Sequence, residues 1–92
     1  MSAKTLTLRY VAHFSTISGC LEEVYTTRAA SVRQLIDALD QRYPGFAAAL
    51  VDPASGRLRL NAAVYLNPPA QPPLSLLDLD RPLEDGAKLT FW

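Results

Sequence analysis

Residues 31–43 carry the strongest pattern of apolar and polar positions in the chain. Ser31 and Gln34 fit a capping box, in which the hydroxyl accepts a free N–H of the first turn and the amide reaches back. Pro44-Gly45 then favours a helix end, because proline disfavours helical backbone in the residue before it. We predict an amphipathic helix that needs a sheet to cover its apolar stripe. The stripe follows the spacing i, i+3, i+4, i+7 and i+11 and comprises Val32, Leu35, Ile36, Leu39 and Tyr43.

Alternation with a period of two predicts strands on both sides of this helix. Residues 5–14 begin with Leu6, Leu8 and Tyr10 on one face, which indicates a half-buried strand. A turn at residues 15–19 joins it to a second strand at residues 21–27. The longest alternation predicts a strand over residues 57–66, and residues 88–92 predict the last strand. The apolar face of residues 57–66 comprises Leu58, Leu60, Ala62, Val64 and Leu66.

The opposite face of these last two strands supplies candidate binding residues. If the leucine face covers the helix, Arg59, Ala63 and Tyr65 point outward, and Trp92 does so on the last strand. Because Tyr, Trp and Arg are enriched at binding hot spots, we take Arg59, Ala63, Tyr65 and Trp92 as a candidate interaction surface. They form one patch only where the sheet order brings the two strands together. The alternative for Trp92 is that it folds back over the edge of the core.

Short segments connect these elements. Residues 46–50 predict a helical turn, residues 52–56 and 85–86 predict tight turns, and residues 74–79 predict a short strand or turn. The segment from Asn67 to Pro73 holds four prolines and is predicted to be a stiff, extended loop, either a rigid connector or a segment that docks in an aromatic groove. The element order suits an α+β fold: a mixed four- to five-stranded sheet packed on one main helix, with the first and last strands paired in the middle.

Composition narrows the class of protein. The 92 residues suit one domain over residues 1–92, and nine basic residues balance nine acidic ones without a basic cluster. We therefore expect neither nucleic acid nor a membrane as partner. No apolar run approaches the roughly 20 residues that span a bilayer, and the N-terminus lacks a hydrophobic signal core. The single cysteine, Cys20, excludes an internal disulfide and suits a cytoplasmic location.

Candidate catalytic groups are few. His13 is the only histidine and is expected near a strand end, so the sequence offers neither a zinc cluster nor a Ser-His-Asp set. Cys20 has no CxxC partner, and Glu22 and Glu23 are expected on opposite faces of a strand. The four glycines form no phosphate-binding loop. We expect a protein that is not an enzyme and uses no cofactor or metal.

Several segments together resemble the ubiquitin-like β-grasp sulfur carriers of the MoaD/ThiS family. Residues 8–14 are similar to the family's first strand, Ser18-Gly19 to its small-residue turn, and residues 31–45 to its helix and helix stop. Residues 61–67 resemble the central strand that reads apolar-Val-Asn, and residues 80–91 resemble the ending tPLxDGDxVxF. The order and spacing of these segments imply the ubiquitin-like β-grasp fold for nearly the whole chain.

The resemblance also implies an activity with which the sequence can be compared. Sulfur-carrying members continue past the last strand and end in Gly-Gly, because their terminal carboxylate must pass a narrow channel into an adenylating enzyme. The sequence here ends in Phe91-Trp92, contains the proline-rich insertion, and has Ala87 where the family often has an acidic residue. These departures predict a relative of the carriers that does not carry sulfur.

Three functions follow as hypotheses. The first is a non-catalytic small subunit, adaptor or regulator that acts by protein–protein interaction without thiocarboxylate chemistry, with an adenylating enzyme or a larger enzyme subunit as partner. The alternative is a sulfur carrier for molybdopterin, thiamine or a related pathway, adenylated and thiocarboxylated at its C-terminus. The third is a self-associating structural protein, which predicts a homodimer through the same sheet face.

Overall fold

The computed structural model describes residues 3–69, 71–76 and 78–92. Ala70 of the proline-rich segment and Leu77 of the predicted 74–79 element lie outside the described residues. The elements, in chain order, are β1 (Lys4–Tyr10), α1 (His13–Ser18), β2 (Glu22–Thr27), α2 (Val32–Arg42), α3 (Phe46–Leu50), β3 (Val51–Asp52), β4 (Arg57–Leu58), β5 (Val64–Asn67), β6 (Leu74–Leu76) and β7 (Lys88–Phe91).

Five of these strands form one mixed sheet in the order β2-β1-β7-β5-β6. The β1–β7 pair is parallel, while β1–β2, β5–β7 and β5–β6 are antiparallel. The first and last strands therefore pair inside the sheet, as the sequence predicts. Strands β3 and β4 form a separate two-stranded hairpin.

Helix α2 lies where the apolar period predicts it and begins with the predicted cap. The Ser31 hydroxyl accepts the Gln34 N–H at 3.3 Å, and the Gln34 side-chain oxygen accepts the Ala30 N–H at 2.9 Å. Together these bonds satisfy a free donor of the first turn and fix the chain that enters the helix. The helix buries its predicted stripe at Val32, Leu35, Ile36 and Leu39. This stripe packs into the core on the inner face of the sheet.

Aromatic rings fill one end of this core. Phe91 stacks on Tyr10 with ring centroids 5.8 Å apart and meets the edge of Phe46 at 5.1 Å. Phe14 contacts Phe46 at 5.4 Å. Because all four rings are buried, they join β1, β7 and the two short helices α1 and α3 into one apolar cluster.

The predicted strand over residues 57–66 is wrong, because the structure divides it. Arg57-Leu58 pairs with the β3 strand, the chain then turns, and only residues 64–67 enter the main sheet. The turn is held by the Ala62 N–H, which donates to the Arg59 carbonyl at 3.0 Å. Leu60, predicted to face the core, lies in this turn and is fully exposed. The alternation of apolar and polar residues thus continues in the sequence, although the chain reverses direction there and is no longer a strand.

The predicted turn at residues 15–19 is also wrong, and so is the predicted extension of the first strand to residue 14. Strand β1 stops at Tyr10, and residues 13–18 form a short helix that ends at Gly19 in the left-handed conformation. Phe14 and Ile17, three residues apart, both pack into the core from this helix. The serine and threonine content signalled a turn, whereas burial of these two apolar residues stabilises a helix.

The remaining short elements agree with the predictions. Residues 46–50 are helical, Leu74–Leu76 forms a strand, and Asp85-Gly86 lies in a turn. None of the helices in the described residues is long and apolar enough to cross a membrane.

Candidate protein-interaction surface

Two aromatic residues meet on the face of the sheet that points away from α2. In the β5–β7 pair Tyr65 lies opposite Thr90, so Trp92 is its diagonal neighbour on the same face. Their ring centroids are 6.3 Å apart and the ring planes are nearly perpendicular, at 83°. Tyr65 is 42% exposed and Trp92 is 50% exposed. Trp92 therefore lies on the outer face and does not cover the edge of the core.

The backbone fixes the position of this pair. The Trp92 N–H donates to the Ala63 carbonyl at 2.9 Å, and the Ala63 N–H donates to the Trp92 carbonyl at 3.4 Å. Ala63 and Trp92 thus continue the β5–β7 ladder by one residue pair. Ala63 has only a methyl group on this face, which leaves the indole room beside it. Three of the four predicted surface residues, Ala63, Tyr65 and Trp92, are brought together.

Arg59 does not join them, contrary to its predicted outward position on the same strand. It lies in the turn between β4 and β5, where its Nε donates to the Ala48 carbonyl at 2.6 Å. The guanidinium therefore ties this turn to helix α3. The misplacement follows directly from the divided strand, because Arg59 and Tyr65 no longer share one alternation.

Neighbouring strands complete a shallow groove beside the aromatic pair. Strand β1 contributes Arg9, which lies opposite Thr90, and the residue that follows the strand, Val11, also lines the groove. Asn67 and Pro73 also line it. The Asn67 Oδ1 is buried without a hydrogen-bond partner among the described residues. Alternation along β1 puts Arg9 on the face opposite Leu8 and Tyr10, but its position near Tyr65 follows only from the sheet order, in which β7 lies between β1 and β5.

A second cluster, missed in the sequence, lies on the inner side of β2. Tyr10 and Tyr43 both donate their hydroxyl protons to Glu23 Oε2, at 2.7 and 2.6 Å. Arg42 reaches Glu23 Oε1 at 3.5 Å and donates its Nε to the Tyr43 hydroxyl at 3.0 Å. We call these four residues the Glu23 cluster. Glu22 and Glu23 do point to opposite faces, as predicted, and the inward one joins β1, β2 and the end of α2.

The electrostatics of the Glu23 cluster favour neutral tyrosines. Burial, followed by the hydrogen bond to Glu23, raises the pKa of Tyr10. The same two causes raise the pKa of Tyr43. The hydrogen bond to Tyr43 raises the pKa of Arg42 above its ordinary value. A cluster that holds its hydroxyl protons this firmly is suited to structural support and not to proton transfer near neutral pH.

The two lone reactive residue types remain isolated. His13 is the first residue of α1, not the end of a strand, and is exposed beside the Phe14 ring at 5.7 Å. Cys20 is half-buried, with its thiol 3.9 Å from Glu23 Oε2. No group of three or more residues able to hold a metal ion occurs in the part of the chain that the structure describes.

Comparisons with known proteins support the fold. No protein-family model and no curated protein matches the chain. Among solved structures, the HVO 2177 protein of Haloferax volcanii superposes with a TM-score of 0.75 at 22% identity, covering 97% of this chain and 81% of its own. Small archaeal modifier protein 1 of Haloferax volcanii gives a TM-score of 0.72 at 17% identity, covering 96% of this chain and 92% of its own.

A candidate molybdopterin converting factor subunit 1 from Pyrococcus furiosus gives a TM-score of 0.68 at 20% identity, with 96% of this chain and 94% of its own covered. These identities establish similarity of fold. They confirm the resemblance noted in the sequence at that level, since the matches include a molybdopterin converting factor subunit and a small modifier protein. The chain therefore has the ubiquitin-like β-grasp fold that these small proteins share.

Proposed function

We propose that this protein acts by protein–protein contact, as a small subunit, adaptor or regulator that docks through the outer face of its sheet. The observation that carries the proposal is the Tyr65–Trp92 pair, two half-exposed rings packed edge to face on paired strands. Tyrosine and tryptophan are enriched at hot spots because each supplies a large contact area with few rotatable bonds. The groove beside them contributes Arg9 as a cation and Val11 as an apolar contact.

The sheet order supports this choice of face. Helix α2 covers the inner side, so the outer side of β1, β7 and β5 is the broad surface left without a covering element in the described residues. The structural neighbours include a small archaeal modifier protein and subunit 1 of a molybdopterin converting factor, and the word subunit implies assembly of that second neighbour with another protein. The proposed partner is accordingly a protein, either an adenylating enzyme or a larger enzyme subunit.

The proposal includes no thiocarboxylate chemistry at Trp92. Both backbone polar groups of this residue pair with Ala63, so its carbonyl carbon lies within the sheet ladder. A carbonyl that must enter another enzyme's active site would first have to leave this pairing, and the indole would have to follow it. A carrier whose reactive carboxylate were that of Trp92 would therefore have to release this residue from the sheet, whereas the proposed adaptor keeps it paired.

Site-specific photocrosslinking tests the docking face. A photoreactive phenylalanine analogue at Tyr65 should yield one main protein adduct in the native host, while the same analogue at Asp37, exposed on α2, should not. The captured protein is then purified and titrated with the wild type and with Tyr65→Ala and Trp92→Ala. We expect each alanine variant to weaken binding at least about tenfold, because a hot-spot truncation costs on the order of 2 kcal/mol. Unchanged affinity in both variants would refute the proposed face.

Intact mass of the protein purified from its native host tests the carrier alternative. A mass that matches the 92-residue sequence, with two oxygens in its C-terminal carboxylate, supports the adaptor. A heavier species with a Gly-Gly extension, or an exchange of oxygen for sulfur, would establish the sulfur carrier and overturn the proposal.

A further inference from the structure

The two edges of the main sheet differ in how well they are protected. The β6 edge is three residues long and follows Pro72-Pro73, which cannot donate backbone hydrogen bonds. The β2 edge is six residues long and contains no proline. Val24, at its centre, is 70% exposed. A long edge without these protective features is suited to pairing with another strand.

The hydrogen-bond pattern identifies the groups of β2 that are free to pair. The Tyr10 N–H donates to the Leu21 carbonyl at 2.8 Å, so in this antiparallel ladder the odd-numbered residues of β2 direct their backbone groups toward β1. Glu22, Val24 and Thr26 therefore direct their N–H and C=O groups away from the sheet. None of the loop or side-chain hydrogen bonds of the described residues reaches these groups.

We propose that β2 pairs antiparallel with β2 of a second copy of this chain, about a two-fold axis at Tyr25. The charged residues at the two ends of β2 indicate that the pairing strand is a second copy of β2. This register sets Glu22 of each copy opposite Arg28 of the other, three residues on either side of the axis. Arg28 directly follows the strand, is exposed, and makes no ion pair within the described residues. The edge is therefore complementary in charge to an inverted copy of itself.

The alternative registers lack this complementarity. Residues whose backbone groups point away from the sheet must pair with residues of the same kind in the other copy. The two-fold axis can therefore pass through a residue of β2 but not between two residues. An axis at Val24 sets Glu22 opposite Thr26 and leaves Arg28 facing Cys20. The Glu22–Lys88 contact within one copy does not compete strongly, because it is 3.7 Å long and Glu22 is half exposed.

Pairing at Tyr25 would join two five-stranded sheets edge to edge and leave both outer faces on the same side. The edge does not use Tyr65 or Trp92, so this proposal is independent of the proposed docking face. The Tyr65→Ala and Trp92→Ala variants should self-associate as the wild type does, which separates failure of one proposal from failure of the other.

Charge reversal tests the pairing. Sedimentation equilibrium should show a concentration-dependent monomer–dimer equilibrium for the wild type. Glu22→Arg and Arg28→Glu should each self-associate at least about tenfold more weakly, because each sets two like-charged pairs opposite one another. An equimolar mixture of the two variants should recover a heterodimer, since every opposed pair is then of opposite charge. A wild type that stays monomeric up to its solubility limit, or reversals that dimerise as tightly as the wild type, would overturn the proposal.

Two further variants separate the edge from the fold and fix the register. Val24→Pro removes an outward N–H that the monomer does not use, so it should melt like the wild type yet fail to dimerise. In a Cys20→Ser background, Tyr25→Cys should form a disulfide-linked dimer on oxidation, because opposed residues at a non-hydrogen-bonded position lie about 4.5 Å apart at Cα. Val24→Cys is the matched control. Faster crosslinking at position 24 than at position 25 would refute the Tyr25 axis.

Discussion

Phe91 and Trp92 are consecutive aromatic residues with opposite roles. Phe91 points inward from β7, is fully buried, and contacts Tyr10 and Phe46. Trp92 points outward, has half of its surface exposed, and contacts Tyr65 alone among the aromatic rings of the described residues. Because side chains alternate across a strand, one step along the chain moves an aromatic ring from the core to the surface. The inner ring contributes to folding, and the outer ring is available for binding.

The polar groups beside the two rings differ in the same way. On the inner side, the Tyr10 hydroxyl that borders the aromatic cluster is paired with Glu23 at 2.7 Å. On the outer side, Arg9 is exposed and lines the shallow groove beside Tyr65 and Trp92. Polar groups near the core are satisfied within the chain, whereas those near the surface groove are left for solvent or a partner.

Phe91→Ala should give the largest effect. Removing a fully buried ring leaves a cavity between Tyr10 and Phe46, and we expect the free energy of unfolding to fall by about 3–5 kcal/mol. Urea denaturation followed by circular dichroism measures the loss. Phe91→Leu, which refills most of the volume, is the control and should lose clearly less. Equal stability of Phe91→Ala and the wild type would mean that the inner cluster does not hold the fold.

Glu23→Gln should have an intermediate effect. The amide oxygen can still accept from both tyrosines in the place of Oε2, but the negative charge that the two hydroxyls and Arg42 share is lost, which we expect to cost about 1–3 kcal/mol. Denaturation at neutral pH measures it. Glu22→Gln, on the exposed face of the same strand, is the matched control and should change stability little.

The same cluster predicts a loss of stability at alkaline pH. The pKa values of Tyr10 and Tyr43 are raised in the folded state, so the unfolded chain loses these protons first. The stabilisation is complete below the ordinary tyrosine pKa of about 10 and falls as pH rises above it. Tyr10→Phe removes one such group, and its stability should decline less steeply over that range. A steeper decline would contradict the assignment.

Trp92→Ala should change stability least. Half of the ring is already in water, and the edge-to-face contact with Tyr65 contributes about 0.5–1.5 kcal/mol. A double-mutant cycle with Tyr65→Ala isolates this coupling. The variant should nevertheless lose partner binding, so a large loss of stability at position 92 would remove the distinction between the two rings.

The spacing of apolar residues was sufficient to predict those elements that keep one face against the core over their whole length. The stripe of α2, its Ser31 cap and the inward set of β1 could be derived from spacing alone, because each segment keeps one face against the core. Residues 57–66 kept a strand-like alternation while the chain changed direction at Arg59. Leu60 was therefore assigned to the core although it is exposed. The alternation of residue types does not show where backbone pairing stops.

The candidate surface was predictable in part for the same reason. Tyr65 and Trp92 could be assigned to outward positions from the sequence, but their contact depends on β5 and β7 being neighbours. The Glu23 cluster gave only a weak signal, because Tyr10, Glu23 and Tyr43 lie on or beside three different elements, with separations of 13 and 20 residues from Glu23. An acidic residue on the inward side of β2 was the available clue, since a buried carboxylate requires partners.

The parallel pairing of β1 with β7 joins residues 7–10 to residues 88–91, nearly the full length of the chain apart. The β1–β2 pair joins neighbouring segments of the chain and can form early during synthesis. The centre of the sheet cannot close until residues 88–91 have left the ribosome. Until then the edge of β1 that pairs with β7 stays unpaired, so we expect this topology to fold more slowly than one built from local contacts and to expose an aggregation-prone strand edge meanwhile.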